Sequence, residues 1–317
     1  MLFTGAFGAI VLLAVMQLAI DLARLPAMLI GRGGFVVPAF VLYAMGSAAA
    51  VLAAIGVSQA VRVPPVHDIE IAIPGLSPAY DGYTMLQLTD LHISRLFPAR
   101  WTRAVVDSSN ALRPDLIVIT GDFIDGSIAA RRADVEPLRD LRAMDGVWAI
   151  PGNHEYFFGY EGWMRHFAAM GMRVLANNHA ILSHGEGRLV LAGVTDLSAP
   201  ETGNAPPDID AALRGSPAGV PVILLDHQPK MAPKAAAKGV AVQLSGHTHG
   251  GMILGLDRLL ALANGGYVSG RYAVGGMTLY VNNGTALWPG FALRLGRPSE
   301  LTRITLRRCE PRGGKPC

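Results

Sequence analysis

A chain of 317 residues suits one large domain, or one domain with an appendage. Hydrophobic residues make up 51% of it and charged residues 16%, with a mean hydropathy of +0.34; this is too apolar for an ordinary soluble enzyme and points to membrane-spanning segments. The formal net charge of +3 comes from scattered arginines without a long basic run, so no nucleic-acid partner is expected.

Residues 1–20, MLFTGAFGAIVLLAVMQLAI, carry no charge, and a second uncharged stretch runs over 35–61. Each reaches the roughly 20 residues that a helix needs to cross a bilayer. The first has no basic leading region, and its apolar core outruns that of a cleaved signal peptide, so a retained anchor is expected. The second is too long and too free of charge for a buried core helix. Arg24 and Arg32 lie in the connector, whereas Arg62 alone closely follows the second stretch. By the positive-inside rule the connector is cytoplasmic and everything after Arg62 is outside, in the periplasm of a diderm bacterium. The expected protein is therefore a multi-pass inner-membrane one, with an anchor over 1–62 and a catalytic domain over 63–308 that follows a break at Pro64 and Pro65. A short tail, 309–317, holds both cysteines, Cys309 and Cys317. Neither belongs to a ligand motif; a small disulfide loop and two free thiols are both open.

Beyond Pro65 short apolar runs alternate with amphipathic ones. The segments 83–89, 115–120, 146–150, 188–194, 220–226 and 240–245 read as buried strands, and 277–283 and 301–307 as closing strands. Helices are expected over 99–113, 130–144 and 161–171. Lys230, Lys234 and Lys238, four apart, mark one solvated helix face. The class is α/β, with helices covering sheet faces.

The apolar runs end on metal-type ligands. QLTDLHIS delivers Asp90 and His92, VITGDFID delivers Asp122, and AIPGNHEY delivers Asn153 and His154. ILLDHQP delivers His227, and LSGHTHGG delivers His247 and His249. Five of the nine histidines stand at these strand ends, where sites assemble in α/β sheets; His67, His166, His179 and His184 do not and read as surface or packing residues. In extended chain, positions i and i+2 face the same side, so Asp90 with His92, and His247 with His249, can converge on one ion or on a pair. Asn153 and His154 are adjacent and must diverge, one toward metal and one toward substrate. Glycines before Asp122, Asn153 and His247 permit tight turns and close backbone approach. Carboxylate, amide and imidazole without thiolate suit Mn, Fe or Zn. Seven ligands exceed one tetrahedral ion and fit two divalent ions sharing a bridging carboxylate, an arrangement used for displacement at phosphorus.

The ordered blocks DLH, GD, GNHE, H and GHTH resemble the calcineurin-like metallophosphoesterase superfamily, whose usual pattern is DxH, GDxxD, GNH[DE], H and GHxH. The match covers roughly 83–250. The spans ahead of the domain are similar to a bacterial membrane-associated branch, and the closing LYVNNGTALWPGFALRLGRPSELTRITL resembles that branch more weakly. The resemblance implies a two-sheet α/β sandwich with the metal site at one edge. It implies that Asp90, His92 and His249 hold one ion, that Asn153, His227 and His247 complete a second, and that Asp122 bridges them. His154 then stands near the leaving-group oxygen as proton donor or charge stabiliser. Glu155 is open between orienting His154 and capping a helix. Asp125, the second aspartate of GDxxD, reads as loop structure, and Arg95 and Arg271 read as surface charge in preference to phosphate contacts. Met252 stands where related sequences often carry a polar residue.

The function implied is a membrane-anchored, metal-dependent phosphoesterase acting on a phosphomonoester or phosphodiester. Tethering at the bilayer makes a lipid-linked ester a better candidate than a cytosolic nucleotide. A non-catalytic regulatory protein with a vestigial site is the alternative, but such a site is free to lose ligands and none is missing. A metallopeptidase would present a helical HExxH pairing, which is absent.

Overall fold

The computed structural model of the chain describes residues 2–30 and 36–309. Arg32 and Cys317, which the topology and disulfide readings use, lie outside them. Two helices come first, α1 (Leu2–Leu29) and α2 (Ala39–Ala60). Within them Thr4–Pro26 and Ala39–Ala60, with mean hydropathies of 2.2 and 2.1, are long and apolar enough to cross a bilayer. Their outward side chains, such as Leu18, Phe40 and Tyr43, are exposed, which a core helix would not allow. The first helix runs past residue 20, because Asp21–Leu29 contains good helix formers and Gln17 donates to Asp21 one turn on, at 3.0 Å.

The remaining elements build two sheets. The strands are β1 (Val66–Pro74), β2 (Thr84–Leu88), β3 (Leu116–Thr120), β4 (Val147–Ile150), β5 (Arg173–Val174), β6 (Asn178–His184), β7 (Gly187–Gly193), β8 (Val222–Leu225), β9 (Val242–Ser245), β10 (Gly270–Val274), β11 (Met277–Val281) and β12 (Leu301–Cys309). One sheet has the order β1-β12-β2-β3-β4-β5 and is parallel except where β12 meets β2. The other has the order β10-β11-β9-β8-β7-β6, with a parallel centre and an antiparallel pair at each edge.

Both faces of each sheet are covered, which is why the strands read as continuous apolar runs. On β3, Leu116 and Val118 enter the layer between the sheets, while Ile117 and Ile119 point outward under helices. Those helices are α3 (Ala99–Ala111), α4 (Ile128–Val135) and, after the short α5 (Asn153–Phe157), α6 (Tyr160–Ala169); they bury Trp101, Val135, Trp163 and Phe167. On β8, Ile223 and Leu225 face the first sheet, while Val222 and Leu224 pack under α7 (Ile209–Leu213) and α8 (Ala232–Ala237). A last helix is α9 (Asp257–Ala263). The architecture is the expected two-sheet α/β sandwich.

One expected helix is shorter. The segment 130–144 holds α4 only to Val135 and tightens into a 3-10 turn over Glu136–Asp140, since Pro137 cannot donate to the helix ladder. Lys230, Lys234 and Lys238 flank and line α8, and all three are exposed as expected.

Candidate metal centre

Five neighbouring strand ends deliver the eight expected site residues to one place on the seam between the sheets. β2 leads into Asp90 and His92, β3 into Asp122, β4 into Asn153 and His154, β8 into His227, and β9 into His247 and His249. Gln87 ties the layers beneath them, donating to Thr120 Oγ1 of its own sheet and to the Ser245 carbonyl of the other, each at 3.1 Å.

Two overlapping ligand sets result. In the first, His92 Nε2 and His249 Nε2 lie 3.2 Å apart, with Asp90 Oδ1 3.5 Å from His249 Nε2 and Asp122 Oδ2 3.6 Å from His92 Nε2. In the second, His247 Nδ1 and His227 Nε2 lie 3.3 Å apart, Asn153 Oδ1 stands 3.0 and 3.1 Å from them, and Asp122 Oδ2 is 3.3 Å from His227 Nε2. Asp122 is common to both.

The convergence is achieved differently from the extended geometry inferred from spacing. Asp90, His92, Asp122, His247 and His249 have φ of 51°, 41°, 53°, 69° and 51°, so the backbone turns left-handed at five of the seven expected metal ligands. His247 and His249 therefore part, one to each set. Backbones must also approach closely. A Cβ on Gly152 would lie 2.3 Å from Asp122 Oδ1, and one on Gly246 would lie 2.3 Å from Asp90 Oδ2, so only glycine fits at either position.

The electrostatics follow from burial and mutual contact. Burial pushes the Asp122 carboxyl up, but His227, His154 and His92 outweigh it and hold that group well below the usual carboxylate range. Asp90, with less compensation, is raised by burial. Burial opposes charge on His227, yet Asp122 lifts it well above the ordinary imidazole value. Burial, then the neighbouring His227, lowers His247 to about 3, and burial with His92 lowers His249 well below its usual value. His247 and His249 thus present neutral nitrogens with free lone pairs. Imidazole nitrogens aimed at one another near 3.2 Å, beside carboxylate and amide oxygens, form clusters that could hold a cation in place of the shared protons. The thiolate-free donors fit divalent metal.

The structure changes one reading, decides a second and adds a third residue. Asp125 is not mere loop structure: its Oδ2 accepts from His92 Nδ1 at 3.0 Å and its Oδ1 from His154 Nδ1 at 2.6 Å. Glu155 does not touch His154; its carboxylate accepts the amides of Asp122, Phe123 and Gly152 at 2.9, 2.8 and 2.7 Å. Of the two readings held open for it, capping is the one the geometry supports. Arg294, unnoticed in the sequence, is fully buried beneath the site and donates to the carbonyls of His249 and Ala286 at 3.0 and 2.9 Å. A lone arginine inside the apolar GFALRLG was the available signal. Arg271 lies on β10 and donates to the Glu70 carbonyl, away from the ligands, and His67, His166, His179 and His184 also lie outside both sets.

Imidazole, carboxylate and amide groups gathered at the strand ends of a two-sheet sandwich mark the class of proteins with a candidate divalent-metal centre. Within that class, the chain belongs to the calcineurin-like phosphoesterases, whose family model matches residues 83–251. A transmembrane protein with a metallophosphoesterase domain from Danio rerio is 34% identical over 270 residues, which are 81% of this chain and 61% of that protein. An uncharacterized metallophosphoesterase of Helicobacter pylori is 34% identical over 70% of this chain and 59% of its own length. Another from Bacillus subtilis is 34% identical over 72% of this chain and 80% of its own. The chain spans about three fifths of the length of the first two.

Proposed function

We propose that the chain is a membrane-anchored, dinuclear metal-dependent phosphoester hydrolase, with residues 1–62 as anchor, 63–308 as catalytic domain and 309–317 as tail. The observation that carries this reading is the pair of ligand sets meeting at Asp122. Asp90, His92 and His249 would hold one ion and Asn153, His227 and His247 the other. Bound there, divalent ions would supply charge neutralisation of phosphoryl oxygens and a water of lowered pKa.

The chain's own residues supply the rest. His154 Nε2 stands 3.9 Å from Asp122 Oδ2, beside the ligands, while its Nδ1 is taken by Asp125. Burial works against a proton on His154, but Asp122 and Asp125 raise its pKa to about 9, so it holds a proton to give a leaving oxygen. Asp125 fixes the tautomer of His92 as well, leaving Nε2 to the ligand set. Glu155 pins the turn that carries Asp122 to the one that carries Asn153.

Turnover of a water-soluble aryl phosphodiester and phosphomonoester, after loading with Mn, Fe or Zn, tests the reading; metal-loaded protein that cleaves neither would overturn it. The domain is proposed to face the periplasm from the inner membrane, where a lipid-linked ester is the first candidate substrate. A reporter fused after Cys317 should be active on that side, and a cytoplasmic signal would reverse the orientation.

A further inference from the structure

The globular domain does not hang from the two apolar helices on a linker; it is packed into them. Leu293 is fully buried against Gly8 and Gly56, where a Cβ on Gly56 would lie 2.6 Å from Leu293 Cδ1. Phe291 meets Phe7 edge to face at 5.9 Å, and the Arg294 amide donates to the Gly56 carbonyl at 3.1 Å. The apolar spans start at Thr4 and end at Ala60. At 1.5 Å per residue, Gly8 and Gly56 lie roughly 6 Å inside those limits. If the helices cross a bilayer, the loop that packs there is at bilayer depth too.

The surface continuing from this contact is apolar and uncovered. Ile253 packs into the same cluster as Leu12, Val57 and Leu293, and the Leu254 amide pairs with the Leu295 carbonyl at 2.9 Å. From there Leu254, Leu259 and Leu262 are 66%, 65% and 80% exposed, and Trp288 is 46% exposed on the adjoining loop. The one acidic residue of α9, Asp257, is buried and paired with Arg297, which leaves Arg258 as the helix's outward charge. Exposed leucines and a tryptophan beside a membrane span are the composition of a surface lying in the bilayer interface.

This surface is tied to the metal centre. His249 is three residues before Met252, and Arg294, which joins the helix pair through its backbone, holds the His249 carbonyl through its side chain. A cavity of about 630 Å³ opens at the same level, lined by Thr4 of α1, Pro289 of the loop, Ser94, Arg95, Arg131 and Asp125. Arg131 is paired with Asp134, and Asp125 with His92 and His154, while Arg95 is exposed with no ion pair among the described residues. The cavity therefore offers one uncompensated positive charge next to the residue that orients His154.

We propose that the domain lies with residues 252–262 and 288–295 on the bilayer surface, and that the Arg95 cavity receives the anionic head group of a lipid-borne phosphoester. This rests on the reading of the chain as a membrane-anchored phosphoesterase, and it adds where the substrate comes from and which face meets it.

The full chain in proteoliposomes containing lipids brominated high on the acyl chain tests the seating. Trp101, Trp148 and Trp163 are buried in the domain, so Trp288 should be the tryptophan that is quenched, and Trp288→Phe should abolish the quenching. Equal quenching in both proteins, or none, overturns the proposal. For the substrate, Leu259→Asp with Leu262→Asp, both at exposed positions, should lower the rate on a vesicle-borne phosphodiester roughly tenfold while the rate on a soluble aryl phosphodiester stays unchanged. Arg95→Ala should raise KM for the vesicle-borne ester roughly tenfold, at unchanged kcat. Identical losses on the two esters would overturn the lipid route. Quenching is read without turnover, so a wild-type protein that is quenched but hydrolyses neither ester would count against the phosphoesterase reading alone.

Discussion

Replacing Asp125 with asparagine is the most discriminating single change, because one carboxylate serves a proposed metal ligand and the proposed acid together. Its two oxygens accept from His92 Nδ1 at 3.0 Å and His154 Nδ1 at 2.6 Å. An amide of the same shape keeps one acceptor and turns the other into a donor, which faces an imidazole N–H. Hydrogen bonds to a charged group contribute about 1.5–3 kcal/mol, and a unit of pKa corresponds to about 1.4 kcal/mol. The pKa of His154, held near 9 by Asp122 and Asp125 against the effect of burial, should then fall by roughly one to two units. If His154 must carry a proton to act, activity is lost as pH rises through that pKa, so the alkaline limb of the kcat/KM profile should move down by the same amount. At neutral pH a pKa of about 7–8 still leaves half or more of His154 protonated, so turnover there should drop only about twofold through protonation, with a further loss through the metal affinity of His92. The assay is a pH profile on an aryl phosphodiester with metal content measured on the same samples. An unshifted alkaline limb with wild-type turnover would refute the argument.

Three further outcomes are expected. His154→Asn should lower turnover roughly 10²- to 10⁴-fold and leave metal content near wild type; loss of metal instead would mean that His154 is a ligand. Asp122→Asn should reduce occupancy at both sets, where elemental analysis of the wild type finds about two ions per chain, and full wild-type activity with a single ion would refute the shared-carboxylate reading. Gly246→Ala places a Cβ 2.2 Å from Thr89 Oγ1 and 2.3 Å from Asp90 Oδ2, so it should displace Asp90, weaken metal binding and cost roughly 1–3 kcal/mol in unfolding free energy; an unaltered denaturation midpoint would show that the turn can open.

The proposed ligands were legible because each follows an apolar run, at the C-terminal end of a strand, which is where sites assemble in α/β sheets. What spacing could not convey was direction. The rule that i and i+2 share a side holds for extended chain, yet Asp90, His92, His247 and His249 all sit at positive φ. Asp125 was misjudged because its partners come from the β2 and β4 ends, and nothing local in GDFID marks a carboxylate held by two imidazoles from elsewhere. The edge strands β6 and β10 escaped notice for a related reason. Edge positions are half covered, so NHAILSH and GRYAV mix polar and apolar residues without a continuous run. Pro137 did carry a readable signal, and the helix stops just short of it.

Left-handed backbone costs roughly 1–3 kcal/mol at each non-glycine residue, so five such ligands must be held by their surroundings. The loops hold one another. Past the end of β2 the amides of Asp90, His92 and Ile93 donate to the carbonyls of Gly121, Asp122 and Phe123 at 3.0, 3.0 and 2.9 Å, so the β2–β3 pairing continues beyond the strands. The Gly246 amide does the same toward the His227 carbonyl at 3.0 Å. Across the seam, His227 Nδ1 bonds the Thr120 carbonyl at 2.8 Å, and the His247 amide donates to both oxygens of Asp90 at 3.1 Å. Asp90, His92, Asp122 and His247 are thus fixed by a neighbour that is itself a proposed ligand or adjoins one, and His249 is held through its carbonyl by Arg294. Such a mesh sets ligand positions before any ion arrives, which favours a defined geometry over adaptability. It also leaves little freedom to vary within the site. Variation in what the protein acts on would then fall to the segments around the mesh, above all 252–262 and 288–295, which meet the helix pair and carry the exposed leucines and Trp288.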